Sequence, residues 1–125
     1  MLGMIADAKG NLRPVDIFFK SAKLAKVMSE DARLKKDFGA KNAKQIRLRL
    51  AVLAASASLT EVPITPPDRR HQLTGSYKDC FAVDAEHPFR IVFEAANDPL
   101  PRKADGGIDL AKVTEITILA VVDYH

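Results

Sequence analysis

The chain has 125 residues, 47% of them hydrophobic and 28% charged, which is the composition of a globular protein and excludes a disordered chain. The formal net charge is only +3, and the single cysteine, Cys80, excludes an intramolecular disulfide and favours a reducing compartment. The sequence contains neither a signal-peptide pattern nor an apolar run of about 18 residues, so we expect a cytoplasmic protein that does not enter a membrane.

The charge is distributed unevenly along the sequence. Residues 20–50 contain ten basic and three acidic side chains, whereas residues 51–125 contain seven basic and eleven acidic ones. Such a basic segment is typical either of a solvated, lysine-rich helix face or of a surface that binds a polyanion or an acidic protein. Composition alone leaves both interpretations open.

The N-terminal part of the sequence divides into an extension and the start of a domain. Residues 1–14 contain glycine, asparagine and proline without a sustained period, and we interpret them as a loosely ordered N-terminal extension. Residues 15–125 suit a single domain, since a chain of this size can remove roughly two-thirds of its unfolded surface from water. A first strand is predicted at residues 15–19, which are β-branched and aromatic.

A helical pattern begins near residue 21. Ser29, followed by two acidic residues, is suited to start a new helix. Gly39 is suited to end the segment, so one interrupted helix or two short helices are expected. A longer helix is predicted at about residues 41–58, because its apolar side chains recur at spacings of three and four. The basic side chains expected on the other faces of this helix are Lys41, Lys44, Arg47 and Arg49.

A proline-rich connection at residues 60–68 ends the helical region, and beyond it the apolar residues recur with a period of two. Residues 77–83 and 89–94 are predicted to pair as an antiparallel hairpin around a turn at residues 84–88. A long loop at residues 96–112 leads to a final strand at residues 113–125. This order predicts an α+β fold with N-terminal helices packed on one face of a small antiparallel sheet. The other face of the sheet is then available to a ligand.

Several side chains of the predicted sheet are suited to proton transfer or to anion binding. Arg90 lies in an otherwise apolar run, where a guanidinium is costly to bury without an anion. In the last strand, Asp123 and His125 are expected on one face and Tyr124 on the other. Each residue also has a structural interpretation: a salt bridge for Arg90, edge packing for Tyr124 and a frayed end for His125.

Metal and cofactor sites have no support in the sequence. The histidines and the cysteine are scattered, without the HExxH or CxxC spacing of metal sites. Glycine-rich nucleotide loops and the GxSxG motif of serine hydrolases are missing as well. We therefore expect neither a metal nor a small-molecule cofactor.

Six short segments carry a more specific signal. They are H-Q-L-T-G (71–75), Y-K-D-C-F-A-V-D (77–84), F-R-I-V-F-E (89–94), D-G-G-I-D-L (105–110), K-V-T-E-I (112–116) and D-Y-H (123–125). In this order and spacing they resemble the HigB-like toxins of the RelE/ParE superfamily, which include plasmid-maintenance killer and killer-suppression proteins. The similarity extends from about residue 15 to the end, with its specific part in residues 71–125.

The resemblance implies the toxin of a type II toxin–antitoxin system, a ribosome-dependent mRNA endonuclease (mRNA interferase) with a RelE/ParE-like fold. It implies metal-independent attack of the RNA 2′-hydroxyl on the adjacent phosphate, and a helix-turn-helix antitoxin as the inhibitory partner. The ribosome and mRNA are the other expected partners. The catalytic residues that the resemblance implies are His71, Arg90, Asp123, Tyr124 and His125.

The chemistry of these side chains fits such a reaction. His125 or Asp123 could remove the 2′-hydroxyl proton, His71 could protonate the leaving oxygen, and the forked guanidinium of Arg90 could hold the phosphate. Tyr124 or Tyr77 could stack on a base or orient the phosphate. The residues expected to contact the substrate are Arg69, Arg70, Tyr77 and Lys78.

One departure from the family pattern keeps other functions open. HigB-like chains often have H-P-L-K-G where this chain has H-Q-L-T-G, so Thr74 replaces a lysine that would add charge near the phosphate. The first alternative is a toxin of the same fold that inhibits gyrase, as in the ParE branch. The second is a degenerate relative that only binds its antitoxin.

Overall fold

The computed structural model describes residues 5–6, 12–13 and 15–123, with side chains from residue 15 to residue 123. The expectations for the rest of residues 1–14, and those for Tyr124 and His125, lie outside the described residues. Within the described part, three α-helices precede all but the first strand of a five-stranded sheet. The predicted α+β fold, with helices N-terminal to the sheet, is confirmed.

The helices follow the predicted pattern of two short segments and one long one. They are α1 (Ala22–Ser29), α2 (Asp31–Phe38) and α3 (Ala40–Ala55). The Ser21 hydroxyl caps α1 by accepting a hydrogen bond from the N–H of Leu24, at 3.1 Å. Extended backbone at Glu30 separates α1 from α2, and the Ser29 hydroxyl, which was expected to start a new helix, instead donates back into α1 at 2.6 Å. Gly39, with a φ of 82°, ends α2 in a conformation that favours glycine.

The strands form one small pair and one larger sheet. They are β1 (Ile5–Ala6), β2 (Leu12–Arg13), β3 (Asp16–Phe19), β4 (His71–Gln72), β5 (Cys80–Asp84), β6 (Phe89–Ala95) and β7 (Glu115–Asp123). β1 pairs antiparallel with β2, and the five-stranded sheet has the order β3-β7-β6-β5-β4. β3 runs parallel to β7, while the other neighbours are antiparallel. The sheet is therefore mixed and not purely antiparallel, because the helices and the other strands form the long crossover that a parallel pair needs.

The hydrophobic core lies between the helices and one face of the sheet. Phe81 of β5 pairs in register with Phe93 of β6, and their stacked rings lie 6.0 Å apart. Both are fully buried, as are Ile46 and Leu53 of α3, which belong to the same core cluster. The apolar side chains that alternate along the hairpin and those that recur at helical spacing along α3 thus pack together in one layer.

The region before β5 differs from the sequence prediction. A strand was expected from residue 77, but residues 75–77 form a short 3-10 helix and β5 begins only at Cys80. Positive φ angles at Gly75 (65°) and Asp79 (67°) interrupt extended backbone on both sides of this turn. The preceding strand, β4, was not predicted, since only His71 and Gln72 pair with β5 and two residues show no periodicity.

Arg49 is the main exception to the predicted outer face of α3, because the residue is only 6% exposed. Its Nε donates a 2.7 Å hydrogen bond to the backbone carbonyl of Asp84 and lies 3.8 Å from the carboxylate of Asp68. Its Nη2 donates to the side chain of Gln45, at 3.1 Å. The position falls three residues after Ile46, on the buried side of α3, so the guanidinium ties the helix to the sheet.

None of the helices in the described residues is long and apolar enough to cross a membrane.

We predict that Arg49→Ala lowers the free energy of unfolding by about 3–5 kcal/mol, because the buried carboxylate of Asp68 loses its cation. Urea denaturation followed by circular dichroism measures this loss. Arg47→Ala is the matched control, since Arg47 pairs with Asp31 at the surface of the helices and should contribute at most about 1 kcal/mol. Equal effects of the two substitutions would contradict the structural role of Arg49.

Candidate functional site

The face of the sheet that the helices do not cover is the candidate site. Its residues are His71, Cys80, Ala82, Asp84, Arg90, Val92, Glu94, Ala120 and Val122, which share one face by their registers. The apolar cluster on this face consists of Leu73, Ala82 and Val92 with neighbours from the sheet and the turn before β5, and among the described residues it contains none from α1, α2 or α3. We call this surface the helix-free face.

Two of the predicted catalytic residues, His71 and Arg90, lie on the helix-free face. His71 pairs with Ala82 of β5, and Arg90 pairs with Asp84 two residues further along the same strand. Strand spacings then put the Cα atoms of His71 and Arg90 about 12 Å apart, a separation that two long side chains can span around a phosphate.

A hollow of about 110 Å³ lies beside Arg90, at the end of the sheet where β5 turns into β6. It is lined by Arg69, Asp84, Ala85, His87, Pro88, Phe89 and Arg90. The Asp84 carboxylate lies between the two guanidiniums, with Oδ2 2.8 Å from Nη1 of Arg69 and Oδ1 3.3 Å from Nε of Arg90. Two cations and one carboxylate leave the hollow with a positive balance.

Backbone hydrogen bonds hold this end of the sheet in place. The N–H of Asp84 donates to the carbonyl of Asp68 (2.8 Å), and the carbonyl of Asp84 accepts from Arg49. In the following turn, the N–H of Glu86 donates to the side chain of Asn42 on α3, at 3.1 Å. Hydrogen bonds with α3 therefore position the residues around the hollow, although no residue of α3 lines it.

Arg69 enters the hollow because of the shape of the connection before β4. Its φ is 49°, an unusual value for a residue with a side chain, and its N–H donates to the carbonyl of Thr65 at 3.0 Å. This turn directs the chain from the prolines toward the sheet edge. Arg69 is half-exposed and lies close to Asp84, and its role in substrate contact stays a prediction.

The ring of His71 is held by the backbone of Arg69. Nδ1 lies 2.7 Å from the Arg69 carbonyl oxygen, and because a carbonyl only accepts, Nδ1 must carry the hydrogen. Nε2 is then the nitrogen that can take up or release a proton. Hydrogen bonding at one nitrogen thus orients the ring for proton transfer at the other.

The remaining predicted contacts occupy different places. Tyr77 is half-buried and packs on the apolar cluster of the helix-free face, while Lys78 is exposed in the turn before β5. The Nε of Arg70 donates to the carbonyl of Val62 (3.0 Å), and burial lowers the pKa of its guanidinium from the ordinary value. Arg70 therefore anchors the proline-rich connection.

The predicted terminal residues are only partly described. Asp123 pairs with Phe89, and the neighbouring pair of Val121 with Ile91 belongs to the core beneath the helices. Alternation along β7 therefore assigns Asp123 to the face opposite Arg90, at the exposed end of the strand. Tyr124 and His125 lie outside the described residues.

Asp84 and His87 were not among the predicted site residues. Asp84 was assigned to the turn, but it is the last residue of β5 and pairs directly with Arg90 across the hairpin, so the alternation of β5 was the signal that could have found it. His87 lies in the turn itself, where no periodicity indicates the direction of a side chain.

The charge of the helix-free face changes from one end to the other. At the end away from the hollow, Glu94 pairs with Cys80 and with Thr117, and Thr117 pairs in turn with Phe18, which is 49% exposed. Next to this row lies the register pair of Asp16 and Glu115. Arginines thus mark one end of the face, and carboxylates with an exposed aromatic ring mark the other.

Cys80, at the acidic end of the helix-free face, has a raised pKa. Burial raises the pKa of its thiol, and the carboxylates of Glu94 and Asp79 raise it further. A thiol of this kind is a poor nucleophile near neutral pH. We therefore assign Cys80 no catalytic role.

Among the residues that the structure describes, no three His, Cys, Asp or Glu side chains are grouped so that they could hold a metal ion. Comparisons of the chain with models of protein families, with curated proteins and with solved structures find no match. The functional argument therefore depends on the sequence resemblance and on the geometry of the helix-free face.

We predict that iodoacetamide modifies Cys80 more slowly in the folded protein than in the urea-unfolded chain at the same pH. The raised pKa reduces the thiolate fraction, so the rate should rise with pH at a higher midpoint in the folded state. By linkage, the thiol's contribution to stability is full below the ordinary pKa and is lost as pH rises through the raised value. Glu94→Gln should lower the midpoint, and identical pH profiles for the two states would contradict the assignment.

Proposed function

We propose that this protein is an endoribonuclease toxin of the HigB-like type, which cleaves mRNA on the ribosome in the cytoplasm and is held inactive by a helix-turn-helix antitoxin. The observation that carries the proposal is the common location of His71 and Arg90 on the helix-free face, which α1, α2 and α3 do not cover. The six sequence segments described above add the family expectation.

Recognition of the RNA backbone is the first task of the site. The guanidiniums of Arg69 and Arg90 line a hollow beside the helix-free face, and forked donors suit the oxygens of a phosphate. An RNA strand lying on the open sheet could place one phosphate near this hollow and its bases on the apolar cluster that includes Tyr77. Affinity should then depend strongly on salt.

The reaction needs no group beyond side chains and RNA. The 2′-oxygen forms a bond to the adjacent phosphorus as its proton passes to a base, and the bond from phosphorus to the 5′-oxygen breaks as an acid protonates that oxygen. The products are a 2′,3′-cyclic phosphate and a free 5′-hydroxyl. Arg90 stabilises the negative charge that grows on the phosphoryl oxygens.

His71 is proposed as the acid. Its Nδ1 hydrogen bond to the Arg69 carbonyl leaves Nε2 to deliver the proton to the leaving 5′-oxygen. Of the two bases expected from the sequence, His125 is the one proposed, because alternation assigns Asp123 to the face opposite Arg90. Tyr124 and Tyr77 are proposed to orient the nucleotides, and single substitutions at these four positions separate their roles.

The basic helices supply a surface for the ribosome in this proposal. Exposed lysines and arginines of α2 and α3 lie on the side of the sheet opposite the helix-free face: Arg33, Lys35, Lys36, Lys41, Lys44 and Arg47. Several of them pair with Asp31 or Glu86 at the surface, which reduces the net charge they present. A polyanion or an acidic partner remains the binding class that fits them best.

We predict that His71→Ala lowers the rate of mRNA cleavage by about 100- to 10,000-fold, because one proton-transfer group is lost. Arg90→Ala should cost about 100- to 1,000-fold, as expected for a lost charge stabiliser. Cleavage is measured with the purified protein in a translation extract, by mapping the 5′ ends of mRNA. Growth arrest after induction should disappear with either substitution.

Arg102→Ala is the matched control, since Arg102 is exposed in the loop before β7 and bonds only locally, to the carbonyl of Gly106 (2.7 Å). It should cleave mRNA like the parent protein.

Accumulating DNA breaks with intact mRNA would instead select the gyrase inhibitor. Expression without toxicity in the absence of an antitoxin would select the degenerate relative.

A further inference from the structure

We propose that Asp84 is a positioning residue that sets the two guanidiniums of Arg69 and Arg90 for one phosphate, while reducing the affinity of the hollow for RNA. The proposal rests on the endoribonuclease function proposed above. It adds a residue that none of the sequence motifs assigned to the site, and it predicts an opposite effect on binding and on catalysis.

The first argument is that Asp84 cannot itself contact the substrate through both oxygens. Oδ1 is buried from solvent and accepts no hydrogen bond from the part of the chain that the structure describes, although it lies 3.3 Å from Nε of Arg90. Oδ2 accepts a hydrogen bond from Nη1 of Arg69, at 2.8 Å. A carboxylate arranged in this way acts through the guanidiniums rather than on the reacting atoms.

The second argument is that the backbone of Asp84 is held on both sides and that its side chain is less exposed than those of the two arginines. Its N–H and its carbonyl are both hydrogen-bonded, to Asp68 and to the buried Arg49, and its side chain is 19% exposed. The side chain of Arg69 is 51% exposed and that of Arg90 is 25% exposed. A rigid carboxylate between two longer side chains restricts the rotamers of both, one through each oxygen.

The third argument concerns charge. A carboxylate between two guanidiniums cancels part of the potential that attracts a phosphate, so its presence lowers the affinity for RNA. The carboxylate of Asp84 therefore weakens RNA binding, and better placement of the two guanidiniums is the effect that offsets this loss of affinity. Removal of the charge at constant shape separates these two effects.

Asp84→Asn is the decisive substitution. The amide can accept a hydrogen bond from one guanidinium through its single oxygen, but its NH₂ group cannot hold the second. We expect kcat to fall by about 10- to 100-fold, as misplaced catalytic groups commonly cost. We expect the KM, and the Kd for a 2′-deoxy RNA analogue that cannot be cleaved, to decrease by about two- to fivefold because the hollow gains positive charge.

Glu94→Gln is the matched control. It removes one carboxylate from the same face, four residues from Arg90 along β6 and opposite Cys80, where it contacts neither guanidinium of the hollow. It should leave kcat unchanged. Asp84→Glu keeps the charge and should restore part of the loss in kcat without the gain in affinity, which a merely structural role of Asp84 would not produce.

The outcomes are distinct. If Asp84→Asn has the kcat of the parent or a higher one, Asp84 is not a positioning residue, and the endoribonuclease function still stands. If the parent protein neither binds the analogue nor cleaves mRNA, the proposed function itself is wrong.

Arg69→Lys, at a half-exposed position, tests the same contact if Asp84→Asn fails to fold. It keeps the charge but loses the fork, so kcat should fall about tenfold or more while the Kd of the analogue stays within about twofold. An unchanged kcat for this variant would overturn the proposal.

Discussion

The buried guanidinium of Arg49 is the contact on which the arrangement of the sheet end depends. It extends from α3 into the layer between helix and sheet, bonds the carbonyl of Asp84 and faces the carboxylate of Asp68. Asp68 in turn accepts the hydrogen bond from the N–H of Asp84. Three parts of the chain that are far apart in sequence thereby meet: the long helix, the end of the proline-rich connection and the last residue of β5. The apolar core fixes the distance between the layers, while this polar contact fixes their register.

The same contact explains how a site on one face of the sheet can depend on residues behind it. The backbone carbonyl of Asp84 and the carboxylate of Asp68 face Arg49 of α3, whereas the carboxylate of Asp84 and the side chain of Arg69 line the hollow. A change in α3 would therefore reach the arginines without touching them. Stability and the proposed chemistry share a single polar network, so mutational effects at Arg49 and Asp84 should not be additive.

Much of the fold could be predicted because it depends on periodicity. The two short helices, the long helix and the β5–β6 hairpin follow from the spacing of apolar residues, and Phe81 and Phe93 lie in the core where alternation assigned them. The parallel pairing of β3 with β7 could not be predicted, because it depends on which strands meet after a long crossover. Arg49 was assigned to the outside since a charged residue is usually exposed, and its burial depends on partners that only tertiary contacts supply. In the candidate site, the pairing of Arg90 with Asp84 was not predicted, because the turn was expected to begin at residue 84, and the approach of His71 required the two-residue strand β4.

The opposite charges at the two ends of the helix-free face have a consequence for any bound polyanion. Between the level of Arg90 and that of Glu94 the sheet extends for four residues, about 13 Å. A chain of phosphates running along the strands would pass from attraction into repulsion within that distance. The favourable path runs across the strands, close to the β5–β6 turn, and enters over the corner formed by β4 and the proline-rich connection. For a bound polyanion, the electrostatic gradient of the sheet would thus set a direction of travel in addition to a place of attachment.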